Sequence, residues 1–449
     1  MNSLKIYNTL SKVKEEFIPL NKNSIGMYVC GPTVYDDPHI GNARPLIIFD
    51  LVYRILIKIF GNDKVNYVRN VTDIDDKIIQ RANELKINIY ELTKNVENVF
   101  LSDCKYLNCL TPTNQPRATE NIQGMIKMIE SLLMRNFAYI KDGNVYFDVN
   151  KFPNYGKLSN RKPKELISGS RVEISQLKKN PLDFVLWKPS KKKEPSWDSP
   201  WGKGRPGWHI ECSVMAERYL GKEFDLHCGG LDLIFPHHEN EIAQSICSNN
   251  SNIFAKYWMH NGYVTVNGKK MSKSDDNFVT INNLKNNFNG QVIRLAILGT
   301  HYRQPLDWNL KILETNKKIL DNWYSFYSYE TEEINNELFN ILLDDLNTPK
   351  FITNIHSFYN KAKAGDISAK KNLNSALKFL GLFGESEQQY NSLKRKSDLD
   401  VSEIENLVKQ RNLARKNKNF KKADKIRLDL EEKGIIIEDL NDNTIWKQK

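Results

Sequence analysis

The sequence predicts a mixed α/β protein: a doubly wound parallel sheet, interrupted by an inserted α+β subdomain and followed by an α-helical bundle and a small C-terminal module. Three observations predict it. Met27 to Cys30 is a short apolar run, Leu46 to Phe60 carries apolar residues at helical spacing, and Lys64 to Asn70 supplies a second strand, giving strand, loop, helix, strand near the start. Strand character returns at Phe224 to Gly229 and is followed by a helix from Pro236 to Ser248, with proline in the first turn where its missing N–H is tolerated. Beyond Lys311 the pattern is helical, with long charged faces.

Taken in order, residues 1–111 are expected to hold the first half of the sheet. Residues 112–203 change character, with a helix near Thr119 to Arg135, a hairpin turning at Asp142-Gly143 and a Lys-, Pro- and Ser-rich stretch around Pro189 to Pro200, and read as an insertion. Residues 204–255 resume the sheet. Within 256–310, Gly262 to Val266 and Lys269 to Met271 flank Asn267-Gly268, a two-residue hairpin turn, and lead into a polar loop at Ser272 to Asn277. Residues 311–390 are the helical bundle, Gly384 to Ser397 reads as a polar linker, and 397–449 is a basic closing module. A chain of 449 residues is too long for one ordinary core, so several domains are expected.

The 65 Lys+Arg against 54 Asp+Glu give a formal charge of +11, which favours a polyanionic partner such as RNA. Six cysteines scattered over the chain look like thiols or metal ligands of a reducing compartment, not a disulfide framework, so the cytoplasm is expected. Met1 to Leu10 lacks a basic segment leading into an apolar one, and Pro45 to Phe60 is interrupted by Asp50, Arg54 and Lys58. Neither a signal peptide nor a membrane span is expected.

Ligand sites of such sheets lie beyond the carboxyl ends of the strands, which places Gly31 to Asn42 there. His39-Ile40-Gly41-Asn42 falls where the first long helix begins, so backbone N–H groups and the helix dipole would face an anion while His39 and Asn42 donate. That suits a triphosphate, though a capped helix start with a surface histidine reads the same way. Lys270-Met271-Ser272-Lys273-Ser274 follows a hairpin and presents two lysines and two hydroxyls, a loop that can close over phosphates or simply be a solvated turn.

His237 and Glu241, four apart on the helix from Pro236, project from one face. With Cys30 at a strand end and Cys212 in Gly207 to Cys212, two sulfurs, one imidazole and one carboxylate would suit Zn²⁺. From spacing alone, buried free cysteines and a metal-free His/Glu pair fit equally. His227 and Cys228 are rival ligands, but neighbours on a strand point to opposite faces. Cys104, Cys109 and Cys247 read as structural thiols.

Together and in this order, H-I-G-N and K-M-S-K-S resemble the H-I-G-H and K-M-S-K-S signatures of class I aminoacyl-tRNA synthetases. G-M-Y-V-C-G-P-T-V-Y-D at Gly26 to Asp36, V-T-D-I-D-D-K-I at Val71 to Ile78, G-W-H-I-E-C at Gly207 to Cys212 and F-P-H-H-E-N-E at Phe235 to Glu241 look like the cysteinyl-tRNA synthetase family, over about Leu4 to Pro305. The resemblance implies a Rossmann-like catalytic domain that activates L-cysteine with ATP, Mg²⁺ accompanying the nucleotide, and passes it to the 3′-terminal ribose of tRNA(Cys). It also implies one Zn²⁺ per chain, held by Cys30, Cys212, His237 and Glu241, that selects cysteine over serine.

By the same resemblance His39, Asn42, Lys270 and Lys273 are catalytic, and Gly41, Gly229 and Asp232 join them around ATP. Gly31, Thr33, Thr72 and Trp208 lie near the amino acid. Asn42 departs from the signature's second histidine, but its amide still donates hydrogen bonds. The C-terminal module would read the anticodon, with Arg415, Lys422 and Arg427 on phosphate, Trp446 stacking on a base, and Asp439 or Asp442 on base edges. A monomer is expected. Two other readings stay open: an ATP-dependent ligase joining cysteine to a small amine acceptor, and a non-catalytic RNA-binding paralogue.

Overall fold

The computed structural model describes residues 3–160, 177–271, 277–330, 333–395, 401–417, 419–433, 435–440 and 443–448. The chain divides into two units, Met1–Asn282 with Gly290–Gly384, and Asn283–Asn289 with Glu385–Lys449. Lys273, with Ser272 and Ser274, and Asp442 lie outside the described residues.

The first unit opens with a hairpin of β1 (Lys5–Asn8) and β2 (Val13–Glu16), then β3 (Ile25–Val29), the long helix α1 (Ile40–Phe60) and β4 (Val65–Arg69). Every residue of β3 is buried, as expected of a strand covered on both faces. Helices α2 (Asp76–Leu85) and α3 (Ile89–Tyr106) follow, their first turns capped by the side chains of Asp75 and Asn88.

Next come α4 (Ile122–Met134) and β5 (Ala138–Lys141), β6 (Asn144–Phe147), β7 (Phe184–Pro189) and β8 (Gly204–Pro206), a separate antiparallel sheet in that order. Asp142 and Gly143 both have positive φ, 49° and 75°, as the expected two-residue turn requires. This segment is packed into the main sheet: Val145, Phe147 and Trp187 share one core with Tyr28, Cys212 and Trp258.

The chain then returns through α5 (Trp208–Leu220), β9 (Phe224–Gly230), α6 (Glu239–Asn249) and β10 (Ala255–Asn261). The main sheet is parallel with strand order β10, β9, β3, β4. Leaving β3 the chain crosses to β4 on one side, whereas β9 lies on the other, so β3 and β9 flank the point where strand order reverses. That crevice is the usual ligand site of a doubly wound sheet.

The helix expected from Pro236 opens on a widened first turn. The α-helix starts at Glu239, after a wide turn Ile234–His238 in which Phe235 is extended, with φ −138° and ψ 132°. The residue before a proline is sterically kept from helical angles, so helical backbone begins at Pro236, where the sequence places it, and runs on into the α-helix.

Beyond β10, β11 (Val264–Val266), β12 (Lys269–Lys270) and β13 (Leu306–Trp308) form a small sheet, order β12, β11, β13. Asn267 and Gly268, at φ 50° and 74°, make the predicted turn. Helices Gly290–Leu298, Leu310–Tyr324, Asn336–Leu342, Thr348–Lys363 and Ile367–Phe379 complete the unit. Four of these are capped by Asn309, Asn335, Asn347 and Asp366.

The expected linker Gly384 to Ser397, whose last two residues lie outside the described ones, contains a helix of the second unit, Glu387–Arg395. Ser386 Oγ accepts from Gln389 N–H at 3.2 Å while Gln389 Oε1 accepts from Ser386 N–H at 2.9 Å, a reciprocal cap that starts a helix in a polar stretch. Helices Val401–Lys416 and Phe420–Glu432 and an antiparallel hairpin, Ile435–Leu440 with Asn443–Gln448, share a core of Ile404, Val408, Ile426, Leu430, Ile435 and Ile437.

Candidate active site and metal centre

Four ligand-bearing side chains converge beside the β3/β9 crevice. Cys30 directly follows β3, Cys212 lies in α5, His237 in the wide turn and Glu241 in α6. Their donor atoms all lie within 4.8 Å of one another. The Cys30 and Cys212 sulfurs are 3.8 Å apart, Cys30 Sγ is 3.7 Å from Glu241 Oε1, and His237 Nε2 is 2.9 Å from the same oxygen. Cys212, His237 and Glu241 are buried, and Cys30 is partly open.

The electrostatics favour the ionised forms of two of the four groups, the Cys212 thiolate and the Glu241 carboxylate. A hydrogen bond from the Cys30 thiol is the largest cause holding Cys212 down to about 6, whereas burial pushes the Cys30 thiol well up. For Glu241, burial is the strongest influence and opposes ionisation, but His227 and His237 together outweigh it and bring its carboxyl to about 2. His237 is likewise opposed by burial, and Glu241 and Cys212 raise it to about 10. Two sulfurs, an imidazole and a carboxylate in this spacing match the donor chemistry of Zn²⁺.

The rivals separate as strand alternation requires. His227 Nε2 lies 2.8 Å from Glu241 Oε2, on the cluster side, while Cys228 is fully buried on the other face with its thiol pushed well up by burial. Sequence reasoning missed His238: its Nε2 is 3.3 Å from Cys30 Sγ, and Cys30, His227, His238 and Glu241 form a second grouping within 4.8 Å. The doubled histidine in the F-P-H-H-E-N-E run was the available signal. Behind it, His238 Nδ1 meets His260 Nε2 at 2.8 Å and His260 Nδ1 meets Thr9 Oγ1 at 2.8 Å. Burial is the first cause keeping His238 and His260 neutral, His260 at about 3.

The residues expected near the amino acid adjoin the candidate metal ligands. Trp208 is 38% exposed and stacks on His237, centroids 4.4 Å apart at 25°. Thr33 and Thr72 form a parallel bridge. Gly31 N–H donates to Asn70 Oδ1 at 2.8 Å, and any Cβ at Gly31 would lie 1.7 Å from the Asn70 carbonyl oxygen, so no other residue fits. Thr72 Oγ1 donates at 3.1 Å to Glu211, a fully buried carboxyl that sequence reasoning passed over and that burial above all pushes up.

At the other end of the β3–α1 loop, His39 is the N-cap of α1, and its N–H donates to Asn42 Oδ1 at 3.0 Å. The oxygen of Asn42 is thereby engaged, which leaves its amide NH₂ as the group to meet an anion. A Cβ on Gly41 would touch the His39 ring at 2.8 Å and the Met271 methyl at 3.4 Å, so the start of α1 and the lysine loop are neighbours. Lys270 is exposed on β12. Gly229 ends β9 against His238, and exposed Asp232 sits in the short turn Leu231–Leu233.

In the second unit Arg415, Lys422 and Arg427 are exposed, Arg411 is buried, and Trp446 is partly buried against the apolar core. Asp439 lies in the strand Ile435–Leu440, opposite Thr444.

Residues 16–318 match the family described as tRNA synthetases class I (C) catalytic domain. The same fold occurs in a methionyl-tRNA synthetase of Mycobacterium tuberculosis, solved with methionyl-adenylate, at TM-score 0.55, 12% identity and coverage of 80% of this chain and 89% of that one. It occurs also in a LeuRS of Agrobacterium radiobacter, solved in a ternary complex with tRNA, at TM-score 0.58, 10% identity and 86% coverage of each chain. Fold and sheet-edge site define a class I aminoacyl-tRNA synthetase. Across its length the chain is 52% identical to a cysteine–tRNA ligase of Pelagibacter ubique, covering 98% of both, and 49% identical to that of Rickettsia prowazekii, covering 99% and 100%. It belongs to the cysteine–tRNA ligase family.

Proposed function

We propose that this chain activates L-cysteine with ATP and transfers it to the 3′-terminal ribose of tRNA(Cys). The observation that carries the reading is the Cys30, Cys212, His237 and Glu241 donor set, placed at one end of the loop whose other end carries His39 and Asn42. A bound Zn²⁺ supplies a soft Lewis acid that favours a thiolate over the harder, less acidic hydroxyl of serine. A purely apolar pocket separates near-isosteres by only about 10- to 200-fold, so sulfur recognition removes the need for an editing site.

Trp208 and Thr72 line the amino acid beside these ligands, fixing its backbone at the β3 edge. The substrate carboxylate attacks the α-phosphorus of ATP, a P–O bond forms as the bond to the β-phosphate oxygen breaks, and pyrophosphate leaves with that electron pair. The N-terminus of α1, His39, the Asn42 amide, Lys270 and Lys273 oppose the charge that builds on the phosphates, with Mg²⁺ accompanying the nucleotide. Gly229 lets backbone approach the ribose, and Asp232 accepts from its hydroxyls. No covalent protein nucleophile is needed, because positioning and electrostatics carry phosphoryl chemistry. The terminal ribose hydroxyl of tRNA then displaces AMP.

The exposed basic residues Arg415, Lys422 and Arg427 suit the tRNA backbone, and Trp446 and Asp439 the anticodon bases. No helix among the described residues is long and apolar enough to cross a membrane. Ligation of cysteine to a small amine is not favoured, since the cysteine–tRNA ligase relatives match the C-terminal module as well. The test is ATP–pyrophosphate exchange with cysteine against serine, before and after zinc removal. Cysteine-dependent, zinc-dependent exchange is expected; equal exchange with serine would overturn the reading.

A further inference from the structure

Arg44 is fully buried two residues after Asn42, yet no carboxylate pairs with it among the described residues. Its guanidinium instead donates to four backbone carbonyls: Tyr263 O at 2.6 Å, His301 O at 3.3 Å, Tyr302 O at 3.3 Å and Gln304 O. A buried cation without a counter-ion is costly, so a fold that keeps one gains something from its geometry. Burial draws it down to about 10, so it stays charged at neutral pH.

Those carbonyls belong to two segments. Tyr263 immediately precedes β11, and residues 301–304 immediately precede β13. The two run tightly together: Gly262 N–H donates to Tyr302 O at 2.8 Å, Leu306 N–H donates to Tyr263 O at 2.9 Å, and a Cβ on Gly262 would lie 2.6 Å from Gln304 O. Further along, Asp307 of β13 accepts at Oδ1 from Thr265 Oγ1 at 2.8 Å and from Gly268 N–H at 2.6 Å. Gly268 is the turn that delivers Lys269 and Lys270. An unbroken series of hydrogen bonds therefore runs from the first turns of α1 to the lysine hairpin.

The far side of the loop is tied to the same place. Ile40 N–H donates to Val279 O and Ile281 N–H to Pro38 O, both at 2.9 Å, and His39 bridges Thr280. The chain on both sides of the lysine loop is thus anchored at the start of α1.

We infer that Arg44 and Asp307 are positioning residues, the two ends of a brace that holds the Lys270 hairpin in register with His39 and Asn42 so that both meet the same triphosphate. The inference rests on the phosphate role proposed for Lys270 and His39. A planar five-donor fork can span carbonyls from two segments, whereas a lysine of similar charge cannot. Misplacement of a reacting group by about 1 Å costs on the order of a hundredfold in rate.

The experiment is ATP–pyrophosphate exchange by the full-length, zinc-replete protein carrying Arg44→Lys, Arg44→Met or Asp307→Ala, alone and combined with Lys270→Ala. Expected are a fall in kcat of about 10- to 100-fold for the Arg44 variants and several-fold for Asp307→Ala. KM for cysteine and zinc content should stay unchanged. Lys270→Ala should then cost less in a braced-out background than in the wild type, since its lysine is already misplaced. A purely structural role would lower thermal stability but leave kcat per folded molecule and the Lys270→Ala effect intact. Asp307 is exposed and its variant should fold, so if the Arg44 variants fail to fold, an unchanged kcat in Asp307→Ala overturns the brace; so does full kcat in folded Arg44→Lys. Wild-type protein without cysteine-dependent exchange would instead sink the proposed function, a distinguishable failure.

Discussion

His237 Nε2 and Glu241 Oε1 meet at 2.9 Å across the junction where the wide turn Ile234–His238 becomes helix α6. The other oxygen of Glu241 is held at 2.8 Å by His227. Groups that orient a metal ligand from behind typically matter 10- to 100-fold in metal affinity, a range of about 1.4 to 2.7 kcal/mol. His227→Phe is therefore expected to weaken zinc retention by roughly that factor, measured by competition with a chelator; Cys228→Ser, on the opposite face, should leave it unchanged.

Thr72, proposed to lie in the amino-acid subsite, donates to the buried Glu211 carboxyl. Thr72→Val keeps the volume and removes the donor, leaving a buried acceptor unsatisfied at about 1–3 kcal/mol. We expect KM for cysteine in ATP–pyrophosphate exchange to rise about tenfold, with KM for ATP little altered; the opposite pattern would remove Thr72 from the cysteine subsite.

A second buried arginine makes a stability prediction. Asp50 of α1 bonds Arg294, accepts from Arg54 at 2.8 Å and from Leu110 N–H at 2.6 Å, and Arg294 also donates to Leu380 O and Leu107 O. Arg294→Met would strand a buried carboxylate and should destabilise the first unit by about 3–5 kcal/mol in chemical denaturation.

The same pair sets an acid dependence. Burial is the largest influence on Asp50 and opposes ionisation, but the Arg294 and Arg54 charges prevail and hold its carboxyl below the ordinary value. A depressed folded pKa gives stability that is present above the unfolded value of about 3.9 and is lost as pH falls below it. Asp50→Asn should flatten the fall in stability below about pH 4, read from denaturation midpoints across acid pH.

Arg415, Lys422 and Arg427 are exposed on the helices Val401–Lys416 and Phe420–Glu432 of the second unit. Replacing all three with alanine should raise KM for tRNA several-fold and lower the salt dependence of binding by about 0.7 to 0.9 in slope per lost phosphate contact. Exchange of pyrophosphate, which needs no tRNA, should be unaffected.

Much of this was legible in the order of residues. A short apolar run marks β3 and period-3.6 spacing marks α1, and Asp142-Gly143 and Asn267-Gly268 mark their turns because only such pairs adopt positive φ cheaply. The glycine-, cysteine- and histidine-bearing motifs named the donor set that the fold gathers within 4.8 Å. Local chemistry was misread where it competes: Ser386 with Gln389 starts a helix where a polar linker was expected.

What the sequence by itself determined is the identity of the groups, since a thiol, an imidazole or a carboxylate brings its chemistry wherever it lies. Which groups meet was decided only by tertiary structure. His238 against Cys30, Glu211 beneath Thr72 and Arg44 beneath residues 301–304 are contacts between segments 139 to 260 residues apart. Their partners are backbone carbonyls and buried side chains, which carry no sequence period and are aligned only when the parallel sheet closes and excludes water around them.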